Sequence, residues 1–162
     1  MQNKSDFKIL AIDDDKDILL LLKYNLESEG YYVETASSGK KGISIAQKIN
    51  PNLMLVDIMM PEMDGIQTCI KLREIDNLKS SYILFLTART EEYSEVAAFD
   101  AGADDYITKP IKPRALLSRI NSAQKSSRFY WLCDVVICAS IEGSDFRVLF
   151  SSSCEEKNIR WF

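Results

Sequence analysis

Histidine is absent from the 162 residues of this chain, and its absence excludes several kinds of site. Without an imidazole, the chain can hold no Ser-His-Asp or Cys-His catalytic group, no histidine-ligated zinc and no histidine pH switch. A phosphohistidine cannot form on this chain either, although one could form on a partner protein. The chemistry of this chain therefore has to come from carboxylates, hydroxyls and amines.

Cysteines and long hydrophobic runs are also scarce. None of the four cysteines forms a C-x-x-C pair, so neither a zinc knuckle nor a redox pair is indicated. The longest apolar stretch, Phe129 to Ile141, contains Asp134 and is shorter than the roughly 20 residues that span a bilayer. The start, Met1 to Lys8, lacks the apolar region of a signal peptide. We therefore expect a cytoplasmic protein with free thiols and no membrane association.

The composition is that of a globular protein of about one domain plus a remainder. The chain is 46% hydrophobic and 27% charged, with a net charge of −4. A surface with this acidic balance does not attract nucleic acid over its whole area.

Short apolar runs alternate with helical patterns along the first two-thirds of the chain. Apolar strand-forming runs predict five strands, at Phe7–Ile12, Tyr31–Ala36, Leu53–Val56, Tyr82–Leu86 and Tyr106–Ile107. Helices are predicted after each strand, the first ending at Gly30, the second opening at Ser37-Ser38-Gly39, and the others covering Ile66–Leu72, Glu91–Ala101 and Arg114–Ala123. This (βα)₅ order predicts an α/β fold, a doubly wound parallel five-stranded sheet with helices on both faces.

Polar side chains follow four of these predicted strands. Asp13-Asp14-Asp15 follows the first strand and Asp57 the third; Thr87 and Lys109 follow the fourth and fifth. Ligands of doubly wound sheets bind at the carboxyl ends of the strands, so we expect these side chains to converge. Grouped carboxylates need a cation, and oxygen ligands alone favour Mg²⁺. A carboxylate, Mg²⁺, a lysine and a hydroxyl together indicate phosphoryl transfer.

Each of these residues also has a structural interpretation. The aspartate triplet is typical of helix N-caps, and Asp57 of a turn. Taken singly, Thr87 fits a strand-end cap and Lys109 a solvated loop residue. Their coincidence at equivalent strand ends favours a functional site.

Four strings carry a family resemblance: ILAIDDDKDI, LMLVDIMMPEMDG, LFLTAR and GADDYITKP. In this order and spacing they resemble the receiver domain of two-component response regulators, a flavodoxin-like fold, over about residues 6–123. The receiver is most similar to those joined to winged-helix DNA-binding domains.

The resemblance implies a role for each strand-end residue. Asp57 is then the phosphoacceptor, and Asp13, Asp14, Asp57 and the backbone carbonyl of Met59 hold Mg²⁺. Lys109, followed by a cis Pro110, and Thr87 contact the phosphoryl oxygens, and Tyr106 is the aromatic switch. The resemblance further implies a sensor histidine kinase as phosphodonor and a signalling face formed by the fourth helix, fifth strand and fifth helix. Homodimerisation on phosphorylation is one expected output.

The remaining residues, 124–162, predict no recognisable domain. Phe129 to Ile141 and Phe146 to Phe150 have the composition of strands, and five basic residues are balanced by five acidic ones. We interpret the segment as a divergent or truncated extension and expect no DNA binding by this chain.

Three functions stay open. The first is a phosphoaccepting switch that is not a metabolic enzyme, and the second is a transcriptional regulator whose DNA-binding domain is lost. The third is a phosphatase resembling haloacid dehalogenases, in which an aspartate after the first strand is the nucleophile. The D-x-D-x-[TV] pattern of those enzymes disagrees with Asp17 in this chain.

Overall fold

Five parallel strands form a single sheet in a computed structural model that describes residues 4–88 and 100–136, with side chains described as far as residue 125. The strand order is β2-β1-β3-β4-β5. The strands are β1 Lys8–Ile12, β2 Tyr32–Ala36, β3 Leu53–Asp57, β4 Tyr82–Thr87 and β5 Asp105–Thr108. This order belongs to doubly wound α/β sheets, so the predicted fold class is confirmed.

The described helices begin at residues suited to the first turn. They are α1 Lys16–Ser28, α2 Gly39–Ile49, α3 Gly65–Arg73 and a C-terminal helix, Pro113–Val136. The side chains of Asp15, Ser38 and Asp64 accept hydrogen bonds from backbone N–H groups of the first turns of α1, α2 and α3. Gly30 follows α1 with a φ of 91°, a conformation that favours glycine, as predicted for the end of this helix.

The sheet separates two hydrophobic clusters. Because side chains alternate along a strand, Ile9 and Ala11 of β1 face one cluster, and Leu10 and Ile12 face the other. The first cluster includes buried leucines of α1 and the first turns of the C-terminal helix, whereas the second includes residues of α2 and α3. Both faces of β1 and β3 are therefore buried, which explains their uninterrupted apolar sequences.

The C-terminal helix corrects one prediction. The strand predicted over Phe129 to Ile141 is wrong as far as Val136, because the helix that begins at Pro113 continues to that residue. Extending a helix adds a hydrogen bond for each residue without a new nucleation cost, and the sequence up to Val136 has no glycine or proline to stop it. The rest of the tail lies outside the described residues, as does most of the predicted helix Glu91–Ala101.

The chain divides into two units, Met1–Ala123 and Gln124–Phe162. The five strands found in the part of the chain that the structure describes all lie in the first unit. Of the helices described in residues 4–88 and 100–136, none has the length and apolar character that crossing a membrane requires. Cys69 is free and buried, and burial raises the pKa of its thiol to about 11.

Gly65 permits a close approach between the start of α3 and the end of β3. Its N–H donates a hydrogen bond to the Ile58 carbonyl at 2.9 Å, and a Cβ at this position would overlap the Asp57 carbonyl oxygen. Gly65→Ala is expected to lower the free energy of unfolding by about 2 kcal/mol, because backbone atoms have to shift to admit the methyl group. Urea unfolding measures this loss. The exposed Gln67→Ala in the same helix is the control, and equal midpoints for the two variants would contradict the close-approach argument.

Candidate functional site

An ion-paired cluster lies at the carboxyl ends of the strands. Asp13 follows β1, Asp57 is the last residue of β3, and Lys109 follows β5. The Lys109 Nζ atom lies 2.7 Å from Asp57 Oδ1 and 2.8 Å from Asp13 Oδ2. The side chains of Asp13, Asp57 and Lys109 are 0%, 6% and 19% exposed, respectively. One ammonium group therefore bridges two buried carboxylates from different strands.

Asp14 completes a group of three acids. Oxygen atoms of Asp13, Asp14 and Asp57 lie within 4.8 Å of one another, and only Asp14 of the three is exposed. Three carboxylates at this spacing repel one another, and Lys109 supplies one positive charge against them. Their hard oxygen donors match the preference of a divalent cation such as Mg²⁺. The cluster thus meets solvent on the side of Asp14, where an ion can enter.

The three consecutive aspartates have different roles. Asp15 is the N-cap of α1, and its Oδ1 accepts hydrogen bonds from the N–H groups of Asp17 and Ile18. Asp13 Oδ1 accepts a hydrogen bond from the Asp15 N–H at 2.9 Å, while Asp13 Oδ2 faces Lys109. The capping interpretation therefore applies to Asp15, and Asp13 and Asp14 belong to the acidic cluster.

Burial and the ion pair with Lys109 act in opposite directions on the pKa of Asp57. Burial raises the pKa of its carboxyl group above the ordinary value, and the negative charge of Asp13 raises it further. The ion pair with Lys109 and a hydrogen bond from the Met59 backbone N–H lower the pKa of Asp57, but the net shift is upward. For Lys109, burial lowers the pKa, but the two carboxylates raise it more, so the lysine stays charged. Ionising Asp57 is therefore costly in the absence of a further cation.

Thr87 lies on β4, next to β3, and Tyr106 lies on β5, the strand beyond it. Thr87 ends β4, one residue after Leu86, which is the register partner of Asp57. The Thr87 side chain is buried, and its carbonyl accepts a hydrogen bond from the Lys109 N–H at 2.6 Å. Tyr106 is opposite Phe85 in the β4–β5 pair and packs, half-buried, against the second hydrophobic cluster. The Lys109–Pro110 peptide bond is cis, as expected.

Arg73 attaches the end of α3 to residues 102 and 104 through contacts that the sequence did not predict. Its Nε donates a hydrogen bond to the Gly102 carbonyl at 2.8 Å, and its guanidinium pairs with Asp104 Oδ2 at 2.7 Å. The same Asp104 oxygen accepts a hydrogen bond from the Ile83 N–H of β4 at 2.7 Å. The end of α3 is thereby attached to the residues that lead into β5. Arg73 and Asp104 are 31 residues apart, and no local pattern relates them.

Residues 9–121 match the family model of the response regulator receiver domain. The doubly wound fold and the acidic strand edge agree with this match, and the chain belongs to the response regulator receiver domain family. The predicted resemblance is confirmed.

Curated relatives include two transcriptional regulatory proteins of Bacillus subtilis. The chain is 42% identical over 120 residues to the alkaline phosphatase synthesis transcriptional regulatory protein PhoP, a match covering 74% of this chain and 49% of PhoP. It is 40% identical over 122 residues to ResD, a match covering 75% of this chain and 50% of ResD. The chain therefore spans about half the length of these relatives.

Solved structures share the same fold. A CheY-like receiver domain protein from Methanospirillum hungatei is 33% identical with a TM-score of 0.72, covering 76% of this chain and 98% of that chain. The chemotaxis protein CheY4 of Vibrio cholerae is 31% identical with a TM-score of 0.70, covering 72% of this chain and 98% of that chain.

Proposed function

We propose that Asp57 accepts a phosphoryl group from the phosphohistidine of a partner sensor histidine kinase. The observation that carries the proposal is the bridge formed by Lys109 between the buried carboxylates of Asp57 and Asp13, beside the exposed Asp14. A carboxylate oxygen of Asp57 attacks phosphorus and forms the new P–O bond. The P–N bond breaks, and its electron pair leaves with the imidazole of the partner.

The acidic cluster fits a magnesium ion. Asp13, Asp14, Asp57 and the backbone carbonyl of Met59 would hold it, because this donor set consists of oxygen atoms only and carries an excess of negative charge over Lys109. When bound, Mg²⁺ offsets the charge that develops on the phosphoryl oxygens during transfer. Lys109 offers its ammonium group to the same oxygens and orients Asp57 for attack.

Thr87 and Tyr106 connect the site to the surface. The hydroxyl group of Thr87 moves toward a phosphoryl oxygen, and Tyr106 rotates into the space that Thr87 leaves. This rearrangement changes the face formed by the predicted fourth helix (Glu91–Ala101), β5 and the start of the C-terminal helix. Thr87 directly follows Leu86, the register partner of Asp57, and Tyr106 lies on the adjacent strand β5, opposite Phe85. These positions support the path.

The output we propose is association with a protein, either a second copy of this chain or a downstream partner, and not catalytic turnover of a small molecule. The receiver domain comprises residues 6–123, and residues 124–162 form an extension that does not bind DNA; the chain divides at this boundary. The working environment is the cytoplasm. Sedimentation with and without beryllofluoride tests association, and duplex-DNA binding at low and moderate salt tests the alternative of a transcriptional regulator.

Incubation with Mg²⁺ and acetyl phosphate is expected to attach one phosphoryl group to Asp57, located by mass spectrometry. Asp14→Ala removes one exposed carboxylate, so it should require about tenfold more Mg²⁺ for the same extent of reaction. The control is Asp76→Ala, because Asp76 is exposed and pairs only with Lys79 among the described residues. Phosphate on another residue, or an unchanged Mg²⁺ requirement in Asp14→Ala, would contradict the assigned site.

A further inference from the structure

A cleft of about 500 Å³ lies between the first turns of α1 and α2, beside the carboxyl end of β2. Sites for small molecules have volumes of about 300–1,000 Å³. The cleft is separate from the proposed phosphorylation site, because neither Asp57 nor Lys109 lines it. Its walls combine lysines, hydroxyl groups and apolar side chains, and the described lining residues include no acid.

Two lysines of the cleft carry charges without a partner acid. Lys16 and Lys41 form no ion pair with any residue in the described ranges 4–88 and 100–125, whereas the third lysine, Lys23, lies 3.7 Å from Glu27. The Lys41 Nζ atom donates a hydrogen bond to the neutral Ser37 Oγ at 3.0 Å. In a chain whose net charge is −4, a concave surface with unpaired cations is a local attractor for anions.

The first turn of α2 adds to this positive potential. Both α1 and α3 begin with an aspartate N-cap, but α2 begins with Ser38 and has two lysines and no acid in its first turn. Cations at the N-terminus of a helix oppose the helix dipole. Lys40 is paired with Glu62 at 2.9 Å, so Lys41 is the uncompensated cation of this turn. An anion beside Lys41 would offset the unfavourable interaction between its charge and the dipole of α2.

The apolar side chains of the cleft indicate that an anionic ligand bound there also has an apolar part. Leu20 is 69% exposed, and it lines the cleft together with Ile45 and the buried Leu19. A simple inorganic anion would leave this apolar wall in contact with water. We propose that the cleft binds a nucleotide-sized, phosphate-bearing ligand, with Lys16 and Lys41 against its phosphates and Leu20 and Ile45 against its ring.

The probe is ATP, titrated calorimetrically into the full chain in the presence of EDTA, so that no divalent ion links the nucleotide to the acidic cluster. We expect saturable binding that weakens with salt. Lys16→Gln combined with Lys41→Gln should weaken it by about tenfold or more, since two charge-assisted hydrogen bonds are lost. Lys48→Gln combined with Lys71→Gln is the matched control, because these exposed lysines do not line the cleft; this variant should bind as the wild type does.

Two further probes test the contacts to the phosphates and to the ring separately. Tripolyphosphate should bind more weakly than ATP because it lacks the ring, and adenosine should bind more weakly still because it lacks the phosphates. Equal binding of ATP by the two double variants, or no saturable binding by the wild type, would overturn the proposal. Lysine-dependent sedimentation with phosphatidylglycerol vesicles without ATP binding would also overturn it, in favour of a membrane surface.

Discussion

Asp57→Asn is expected to reduce phosphorylation by acetyl phosphate by more than about 100-fold, since an amide oxygen is a poor nucleophile. The substitution keeps the shape of the side chain, so the end of β3 stays in place. Phosphorylation is measured by intact mass and by peptide mapping under saturating Mg²⁺. The matched control is Asp76→Asn, which neutralises an exposed acid far from the cluster in sequence. Phosphate incorporation at the wild-type rate in Asp57→Asn would rule out Asp57 as the acceptor.

The stability of Asp57→Asn provides a second test, because losing a nucleophile does not by itself change the free energy of unfolding. Burial raises the pKa of Asp57, so the folded state binds a proton at this site more readily than the unfolded chain does. Compared with an uncharged side chain, Asp57 therefore lowers the stability of the folded state progressively as the pH rises from the ordinary pKa to the raised one, and the full loss remains above the raised pKa. Without divalent ions, Asp57→Asn should therefore raise the free energy of unfolding at pH 7. This gain should shrink as the pH falls from the raised pKa to the ordinary one, below which Asp57 of the wild type is protonated in both the folded and the unfolded state.

Lys109→Met is expected to lower the free energy of unfolding by about 3 kcal/mol at pH 7 in the absence of metal. The methionine occupies similar volume, but it leaves the buried carboxylates of Asp13 and Asp57 without their shared ammonium group. Urea unfolding measures the loss, and Lys112→Met is the control because Lys112 is exposed. Identical midpoints for the wild type and Lys109→Met would show that the bridge contributes nothing to stability.

The pH dependence of this loss in stability tests whether the unpaired carboxylates cause it. Lys109 lowers the pKa of Asp57, so removing it raises that pKa further. The folded variant then binds a proton at higher pH than the wild type does, and its deficit in stability should shrink as the pH falls. Adding Asp13→Asn to Lys109→Met should recover part of the lost stability, since it removes one unpaired charge. A deficit that stays constant with pH would point to lost packing.

Local sequence patterns were sufficient to predict most of the strands of the sheet and the helix ends beside them. The run Leu53–Val56 is apolar throughout because both faces of β3 are buried, and the structure extends this strand by one residue to Asp57. Ser38 and Gly30 mark the start of α2 and the end of α1 through hydrogen-bond capacity and backbone freedom, which are properties of single residues. The strand composition of Phe129 to Ile141 was misleading, because an established helix continues through such residues.

The set of residues at the strand ends was also predictable, but their pairing was not. Alternation of strands and helices places Asp13, Asp57 and Lys109 at one edge of a parallel sheet, since the carboxyl ends of parallel strands share an edge. The bridge between Lys109 and Asp13 joins residues 96 positions apart. Such a contact depends on side-chain direction and burial, about which local spacing carries no information.

The sequence by itself therefore determined the doubly wound class, the five strands and the chemistry available at their ends, because these follow from periodicity and residue type. Only the tertiary structure decided that Lys109 bridges two buried carboxylates, that Arg73 attaches α3 to the residues before β5, and that α1 and α2 enclose a cleft with unpaired lysines. The reason is physical: these features arise from long-range packing, in which residues distant in sequence share one low-dielectric environment or one concave surface.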